Sequence, residues 1–239
     1  MFNLTVLGKY GPYPKAGGAC SSYLIRTNSS NILIDLGTGS LSNLQKMLEL
    51  NDIDLIILSH LHSDHISDVL TLRYAIQVLK LKPIKLYMPK SPEAEVDIIS
   101  SGDRFIIDTI QDEQSFAFND LQISFKKMKH PVETYAIKIK HEGKSFVFSG
   151  DTVFNSDIIK LSKNCDLLLF DSAILEADRT VSFPHASAYQ AGYTAKMAEV
   201  KKLLMTHINP EMDEEKLLAE AKDEFSNSIV VKELAVYEI

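Results

Sequence analysis

The sequence predicts an α/β protein in which two β-sheets pack face to face and helices cover their outer sides. Two observations support this fold class. Apolar runs of strand type alternate with stretches of helical spacing, and this alternation occurs in two successive halves of the chain. The 239 residues are 45% hydrophobic and 24% charged, and no linker or low-complexity segment divides them. We therefore expect one domain over residues 1–239.

The first half of the chain contains five strand-like runs and two stretches of helical spacing. Gly, Asn or Ser residues bound the first three runs, and the run "DLIIL" has no polar alternation, which is typical of a strand buried on both faces. The predicted strands cover residues 3–8, 21–27, 31–37, 54–58 and 84–89, and the predicted helices cover residues 40–51 and 67–80.

The second half repeats this organisation. Glu142 and Gly143 separate two strand-like runs and predict a hairpin turn. The predicted strands cover residues 121–130, 134–143, 144–151, 166–171, 201–207 and 228–234, and the predicted helices cover residues 186–199 and 213–225. The strand over 228–234 is expected to close the chain.

Charge and cysteine content exclude several classes of protein. The formal net charge of −7 makes the surface a poor general attractor of nucleic acid, so a polyanion would need a local basic patch. Cys20 and Cys165 are not part of a CxxC motif, and we expect neither a disulfide nor a zinc–sulfur site.

The N-terminus lacks a secretion signal and no run of 18 apolar residues occurs, so we expect a cytoplasmic protein without a membrane span.

The segment "SHLHSDH" (59–65) is the strongest functional signal. His60 and His62 are two residues apart in an extended segment, so both imidazoles can point to one place. Asp64 and His65 fall where the next helix begins and can turn toward a second place nearby. Imidazole nitrogen and carboxylate oxygen are ligands of zinc, manganese and iron(II).

Further candidate ligands follow other predicted strands. His130 ends one strand and His207 ends another, while Asp151 follows Gly150, which allows a sharp backbone turn. The carboxyl ends of strands in layered α/β proteins border the ligand crevice, so these residues are the expected complement of the histidine cluster. His141 lies beside the predicted turn, and we interpret it as a surface residue.

These motifs, "SHLHSDH", "KH" at 130, "SGD" at 151 and "MTH" at 207, resemble the metal-site motifs of the metallo-β-lactamase superfamily. The resemblance implies a four-layer αββα sandwich (the metallo-β-lactamase fold) with a site for two divalent metal ions. We expect both ions to be zinc, and manganese or iron are the alternatives. By that resemblance the ligands are grouped as follows: His60, His62 and His130 bind one ion, Asp64, His65 and His207 bind the other, and Asp151 bridges both.

Residues 183–210 resemble the branch that contains ribonuclease Z and cyclic-phosphate phosphodiesterases. In this branch a further histidine, here His185, opens a helix and binds phosphate. We expect free N–H groups at the start of that helix to assist. Bound zinc can lower the pKa of water from 15.7 to roughly 7, and Asp64, with Asp151 as the alternative, is expected to orient the resulting hydroxide and accept its second proton. Asp171 is interpreted as a carboxylate that orients a ligand imidazole.

Two departures from ribonuclease Z favour a small or cyclic phosphodiester over precursor tRNA. Only twenty residues separate His130 from Asp151, too few for the long arm with which that family grips tRNA, and the loop at 8–22 lacks the Arg-Asn pair of the family. Lys15 in that loop is interpreted as exposed. RNA and tRNA 3′-processing remain alternatives.

Three other functions remain open. The same metals could hydrolyse a lactone or thioester, or the protein could be a diiron redox protein or an inactive metal-binding module. Lys126, Lys127 and Lys129 could form a local phosphate-attracting patch, although most of that run is interpreted as a solvated face. The exposed face of the helix over 67–80 could support a homodimer.

Overall fold

The computed structural model describes residues 2–239, and within them the chain forms two mixed β-sheets. The strands in chain order are β1 (Asn3–Gly8), β2 (Ser22–Arg26), β3 (Asn31–Ile34), β4 (Leu55–Ile57), β5 (Ile84–Met88), β6 (Phe105–Thr109), β7 (Ser115–Phe118), β8 (Leu121–Lys127), β9 (Tyr135–His141), β10 (Lys144–Phe148), β11 (Leu167–Asp171), β12 (Lys202–Thr206), β13 (Ser228–Val230) and β14 (Val236–Glu238). The helices are α1 (Ser40–Leu44), α2 (Ser63–Leu79), α3 (Glu93–Ser100), α4 (Ser156–Ser162), α5 (Ala188–Met197) and α6 (Glu214–Glu224).

Each sheet has a parallel half and an antiparallel half. The first sheet has the order β14-β1-β2-β3-β4-β5-β6, and the second has the order β13-β12-β11-β10-β9-β8-β7. Strands β3 to β6 are parallel in the first sheet, and β10 to β13 are parallel in the second. Loops that follow parallel strands leave the sheet at one edge, which brings distant polar residues together there.

Three apolar layers hold the sheets and helices together. Alternate strand residues such as Ile57 and Phe148 fill the space between the sheets. The opposite face of the first sheet packs against α1, α2 and α3, with Leu72 of α2 fully buried. The opposite face of the second sheet packs against α4, α5 and α6, with Ala191 and Leu217 fully buried. This arrangement of helix, sheet, sheet and helix confirms the predicted four-layer sandwich.

Several predicted boundaries differ from the structure. The helix predicted over 40–51 ends at Leu44, because the later apolar residues, including Leu50, reach the same buried layer from a turn and a 3₁₀ helix. The helix predicted over 67–80 begins at Ser63, four residues earlier, since its first turn carries Asp64 and His65 instead of apolar residues.

The sequence prediction did not include five elements. They are α3, β6, β7, α4 and β14. The prediction that a strand over 228–234 closes the chain is wrong, because β13 ends at Val230 and the chain then crosses to the first sheet, where β14 pairs with β1. Local composition gives little sign of such a pairing, since two of the three residues of β14 are exposed.

The predicted hairpin turn is confirmed, whereas the predicted surface position of His141 is wrong. Glu142 and Gly143 form the predicted hairpin turn, both with positive φ, as a two-residue hairpin of this type requires. His141 is buried, not exposed as predicted, because it packs against the ring of Phe2. Among residues 2–239 no helix is long and apolar enough to cross a membrane.

Candidate metal centre

The loop after β4 places the histidine cluster at the edge shared by the two sheets. Strand β4 ends at Ile57, and His62 takes the N-cap position of α2 with an extended backbone. Asp64 and His65 then occupy the first turn of the helix, where the helix dipole favours a carboxylate. One strand end and one helix start therefore direct four polar side chains into a small volume.

The first group of donor atoms is formed by three histidines from two loops. His62 Nδ1 lies 3.1 Å from His60 Nε2 and 3.2 Å from His130 Nε2. His130 comes from the loop after β8, and its Nδ1 lies 3.2 Å from the carbonyl oxygen of Pro184. The donor atoms of this group and Asp151 all lie within 4.8 Å of one another.

The second group joins the start of α2 to the end of β12. His207 Nε2 lies 3.2 Å from Asp64 Oδ2 and 3.2 Å from Asp151 Oδ2. His65 Nε2 lies 3.3 Å from the same Asp151 oxygen and 3.6 Å from Asp64 Oδ2. Asp151 Oδ2 also lies 3.5 Å from His60 Nε2, so this carboxylate is common to both groups.

Burial and charge prepare the first group for metal binding. Burial, together with the charge of His65, lowers the pKa of His60 well below its usual value, and burial lowers the pKa of His130 to about 4. These imidazoles are therefore neutral near pH 7, and a neutral imidazole is the form that binds a metal ion. Burial alone would raise the pKa of Asp151, but His207, His65 and His60 hold it well below the usual range, so the carboxylate is ionised.

The second group holds protons next to its carboxylates. Burial opposes charge on His65 and His207, but Asp151 and other nearby carboxylates outweigh that effect and raise the pKa of both imidazoles well above the usual value. A cation in this group would take the place of those protons.

The donor atoms present fit a pair of divalent cations. Within residues 2–239, His65 Nε2 and Asp151 Oδ1 are buried without a hydrogen-bond partner, which is costly unless another group satisfies them. The available ligands are nitrogen and oxygen, a set that suits zinc, manganese or iron(II). Cys20 and Cys165 are free and buried.

Asp35 holds the imidazole of His65 in position, and the sequence analysis did not identify this residue. Its Oδ2 lies 2.8 Å from His65 Nδ1, and its two oxygens accept hydrogen bonds from the backbone N–H and the hydroxyl of Ser59. Burial raises the pKa of the Asp35 carboxyl, but these donors stabilise its ionised form against the imidazole. Asp35 follows β3 directly, so the same strand-end signal that indicated the other residues was present here.

His185 lies beside both groups. Its Nδ1 is 2.8 Å from Asp171 Oδ2, and its ring centroid is 4.7 Å from that of His207 and 5.2 Å from that of His130. Asp171 Oδ2 also accepts from the backbone N–H of Thr152, so its position agrees with an orienting role. The side chain of His185 is 13% exposed and is thus reachable from solvent.

The expectation that free N–H groups at the start of α5 assist His185 is wrong. Ser187 caps this helix, and its hydroxyl accepts from the N–H of Gln190 in a capping box. The N–H of Ala188 donates to the carbonyl oxygen of Ile174. Since the protein itself satisfies these groups, an anion at this place would depend on side chains.

Two glycines allow loops to approach the centre closely. A Cβ atom at Gly11 would lie 1.9 Å from His207 Nε2, so this loop residue packs directly on the imidazole. A Cβ atom at Gly37 would lie 1.9 Å from the carbonyl oxygen of Asp64. Lys15, in the same loop as Gly11, is exposed as predicted.

The structure brings together every candidate residue that the sequence indicated. These are His60, His62, Asp64, His65, His130, Asp151, His185 and His207. Their roles as ligands or catalytic groups remain predictions that rest on this geometry.

Comparison with known proteins identifies the family of this chain. Residues 30–208 match the family described as a β-lactamase superfamily domain. The chain is 29% identical over 231 residues to the probable metallo-hydrolase YhfI of Bacillus subtilis, covering 95% of each chain. The crystal structure of that metallo-β-lactamase fold protein superposes with a TM-score of 0.94 at 30% identity, over 100% of both chains.

Two further matches are more distant. A ribonuclease Z of Mycolicibacterium gilvum is 28% identical over 243 residues, which cover 88% of this chain and 85% of the relative. A diphosphatase from the PhnP family superposes with a TM-score of 0.77 over 100% of this chain and 98% of its own, at 14% identity, which shows a shared fold.

Proposed function

The chain belongs to the β-lactamase superfamily as a metallo-hydrolase, and we propose that it is a phosphodiesterase that acts on a small or cyclic phosphodiester or on RNA. The observation that carries this proposal is His185. It adds an eighth side chain to seven candidate metal ligands, and Asp171 holds it at the open side of the centre.

The geometry of His185 suits a phosphate oxygen. If Nδ1 donates to Asp171 Oδ2, the ring is fixed with Nε2 free to point away from that carboxylate. A protonated Nε2 can donate to a non-bridging oxygen or give its proton to the departing ester oxygen. A carboxylic ester or lactone has no second anionic oxygen to accept from this donor.

The candidate ligands would hold two metal ions in the groups described above. Such ions, when bound, neutralise phosphate charge and lower the pKa of water. Burial would raise the pKa of Asp64, but the charge of His65 and the hydrogen bond and charge of His207 lower it, so the carboxylate is ionised and can accept a hydrogen bond from the attacking water. A bond forms between the water oxygen and phosphorus while Asp64 accepts the proton of the water, the ester P–O bond breaks, and His185 protonates the leaving oxygen.

The structure between His130 and Asp151 supports a compact substrate. Strands β9 and β10 occupy this segment and are joined by a two-residue turn, so no arm projects from it. The ribonuclease Z relative keeps RNA as a second candidate, because the identity extends over most of both chains.

A substrate panel on protein loaded with Zn²⁺ or Mn²⁺ tests the proposal. The panel contains bis-p-nitrophenyl phosphate, a 2′,3′-cyclic nucleotide, precursor tRNA, a lactone and a thioester. We expect the phosphodiesters to have the highest kcat/KM. His185→Ala should reduce their hydrolysis by about 100-fold, as expected for loss of a general acid, with unchanged metal content.

Ser182→Ala is the matched control, because Ser182 is exposed in the same loop and its hydroxyl lies 3.4 Å from that of Thr180. Activity on the lactone or thioester that exceeds activity on every phosphodiester would refute the proposal. A response restricted to precursor tRNA would instead establish the ribonuclease Z alternative.

A further inference from the structure

A cavity of about 330 Å³ adjoins the candidate metal centre and shares one wall with it. His130 forms the shared wall. The other residues that line the cavity are Lys90, Ser91, Lys127, Met128, Pro131, Val132 and Glu133. A molecule in this cavity would therefore lie next to the first group of candidate ligands.

Two lysines dominate the charge of this cavity. Lys90 is exposed on the loop after β5, and the side chain of Lys127 is 53% exposed at the end of β8. The one carboxylate, Glu133, is only 7% exposed and accepts hydrogen bonds from the hydroxyls of Tyr135 and Ser91. Its oxygens are thus occupied, whereas both ammonium groups can reach solvent.

Glu133 lines the same cavity as the two lysines. Its Oε1 lies 3.7 Å from Lys127 Nζ. Burial would raise the pKa of the Glu133 carboxyl, but its two hydrogen bonds and the charges of Lys127 and Lys90 hold the pKa below its usual value. Two ammonium groups beside one recessed carboxylate leave a net positive charge at the cavity mouth.

Lys126 differs from its neighbour. Its Nζ lies 3.1 Å from both Asp112 Oδ2 and Glu113 Oε1, and it does not line the cavity. The lysine run in the sequence is therefore divided: Lys126 is paired with acidic groups on the other face, and Lys127 is directed to the cavity beside His130.

We propose that Lys90 and Lys127 form a subsite for a second phosphate group of the substrate, one nucleotide away from the phosphodiester that is cleaved. This inference rests on the proposed phosphodiesterase function and narrows its substrate to a short oligonucleotide or dinucleotide with an additional phosphate. A cyclic mononucleotide has a single phosphate and would leave the subsite empty.

Three dinucleotides test this inference: ApA, its 5′-phosphorylated form pApA and its 3′-phosphorylated form ApAp. They contain the same scissile bond and differ by one phosphate. We expect one phosphorylated form to have a KM about tenfold below that of ApA, as a charge-assisted contact provides. Lys127→Ala and Lys90→Ala should each reduce this preference, and Lys127→Arg should retain it.

Lys126→Ala is the matched control and should keep both the preference and the activity on ApA. Salt gives an independent readout, since loss of one phosphate contact should make kcat/KM for the phosphorylated dinucleotide less sensitive to salt concentration. Equal KM values for all three dinucleotides, or an equal effect of Lys126→Ala and Lys127→Ala, would overturn the subsite. Failure to cleave ApA and bis-p-nitrophenyl phosphate at all would instead refute the phosphodiesterase proposal.

Discussion

Asp171 Oδ2 lies 2.8 Å from Nδ1 of His185, and Asp171 is fully buried at the end of β11. If Nδ1 donates to this carboxylate, Nε2 is the ring nitrogen left for a substrate. Its pKa is lowered because the charges of His185 and His207 and their hydrogen bonds outweigh the effect of burial. This pair connects a buried strand end to a side chain that solvent can reach.

Replacement of Asp171 should impair His185 without removing it. We expect Asp171→Asn to reduce kcat/KM for a phosphodiester by about 10- to 100-fold, because the amide can present its NH₂ group to Nδ1 and favour the wrong tautomer. In a double-mutant cycle, Asp171→Asn should cost little further in the His185→Ala background. Additive losses would show that Asp171 acts through His207, whose Nδ1 lies 3.6 Å from Asp171 Oδ1.

Removal of the Asp35 carboxylate should weaken metal binding. Asp35 fixes His65 so that Nε2 faces the centre, and loss of such an orienting partner typically lowers metal affinity by about 10- to 100-fold. Competition titration of Asp35→Asn with a chromogenic zinc chelator measures this change. Asp68→Asn is the control, since the Asp68 carboxylate accepts from the backbone N–H of Leu41 and not from an imidazole. An unchanged affinity in Asp35→Asn would show that packing alone positions the imidazole.

A methyl group at Gly11 should displace His207. The added Cβ would lie 1.9 Å from Nε2, so either the loop or the imidazole must move. We expect Gly11→Ala to bind about one metal ion fewer per chain and to lose activity by at least about tenfold, with a similar far-UV circular dichroism spectrum. Elemental analysis measures the metal content. Ala16→Ser, an exposed change in the same loop, should keep both ions.

Glu233 should make the folded state less stable as pH rises. It is half-buried and accepts from the N–H of Ala19, and burial raises its pKa. Because the folded pKa lies above the unfolded value, the contribution of Glu233 to stability is greatest below the unfolded pKa of about 4.3 and is lost as pH rises through the folded pKa. Glu233→Gln keeps an acceptor for Ala19 but cannot ionise.

Thermal melts of metal-free protein at pH 4 and pH 7.5 measure this effect. Glu233→Gln should raise the melting temperature relative to the unmodified chain at pH 7.5 and have little effect at pH 4. The exposed Glu238→Gln should give the same small difference at both pH values. A larger gain at pH 4 than at pH 7.5 would contradict the raised pKa of Glu233.

The histidine cluster shows why much of the candidate site was predictable. The cluster is local: His60 and His62 alternate at a strand end and Asp64 and His65 begin a helix, so short-range geometry alone directs them to nearby places. His130, Asp151 and His207 could be added because each follows a strand-like run, and parallel strands end at a common edge. Their convergence then required only the sandwich arrangement that apolar periodicity predicts.

Other features depend on contacts between segments far apart in the chain. Asp35 looked like any polar residue after a strand until the fold placed it against His65, thirty residues away. The closing strand β14 pairs with β1 across most of the chain, and His141 is buried by Phe2 instead of lying at the surface. Pairings of this kind depend on the path of the whole chain, because the sequence around one partner does not indicate which distant residue it will contact.

The amino-acid sequence by itself determined the layered α/β architecture, the family resemblance and the set of candidate ligands, because periodicity and motif spacing are local properties of the chain. The tertiary structure alone decided that Asp35 supports His65, that Gly11 packs on His207, that the start of α5 is already capped, and that Lys127 faces the cavity while Lys126 does not. The physical reason is that burial, charge pairing and close approach are set by which distant segments meet, and this is settled only when both sheets have packed together.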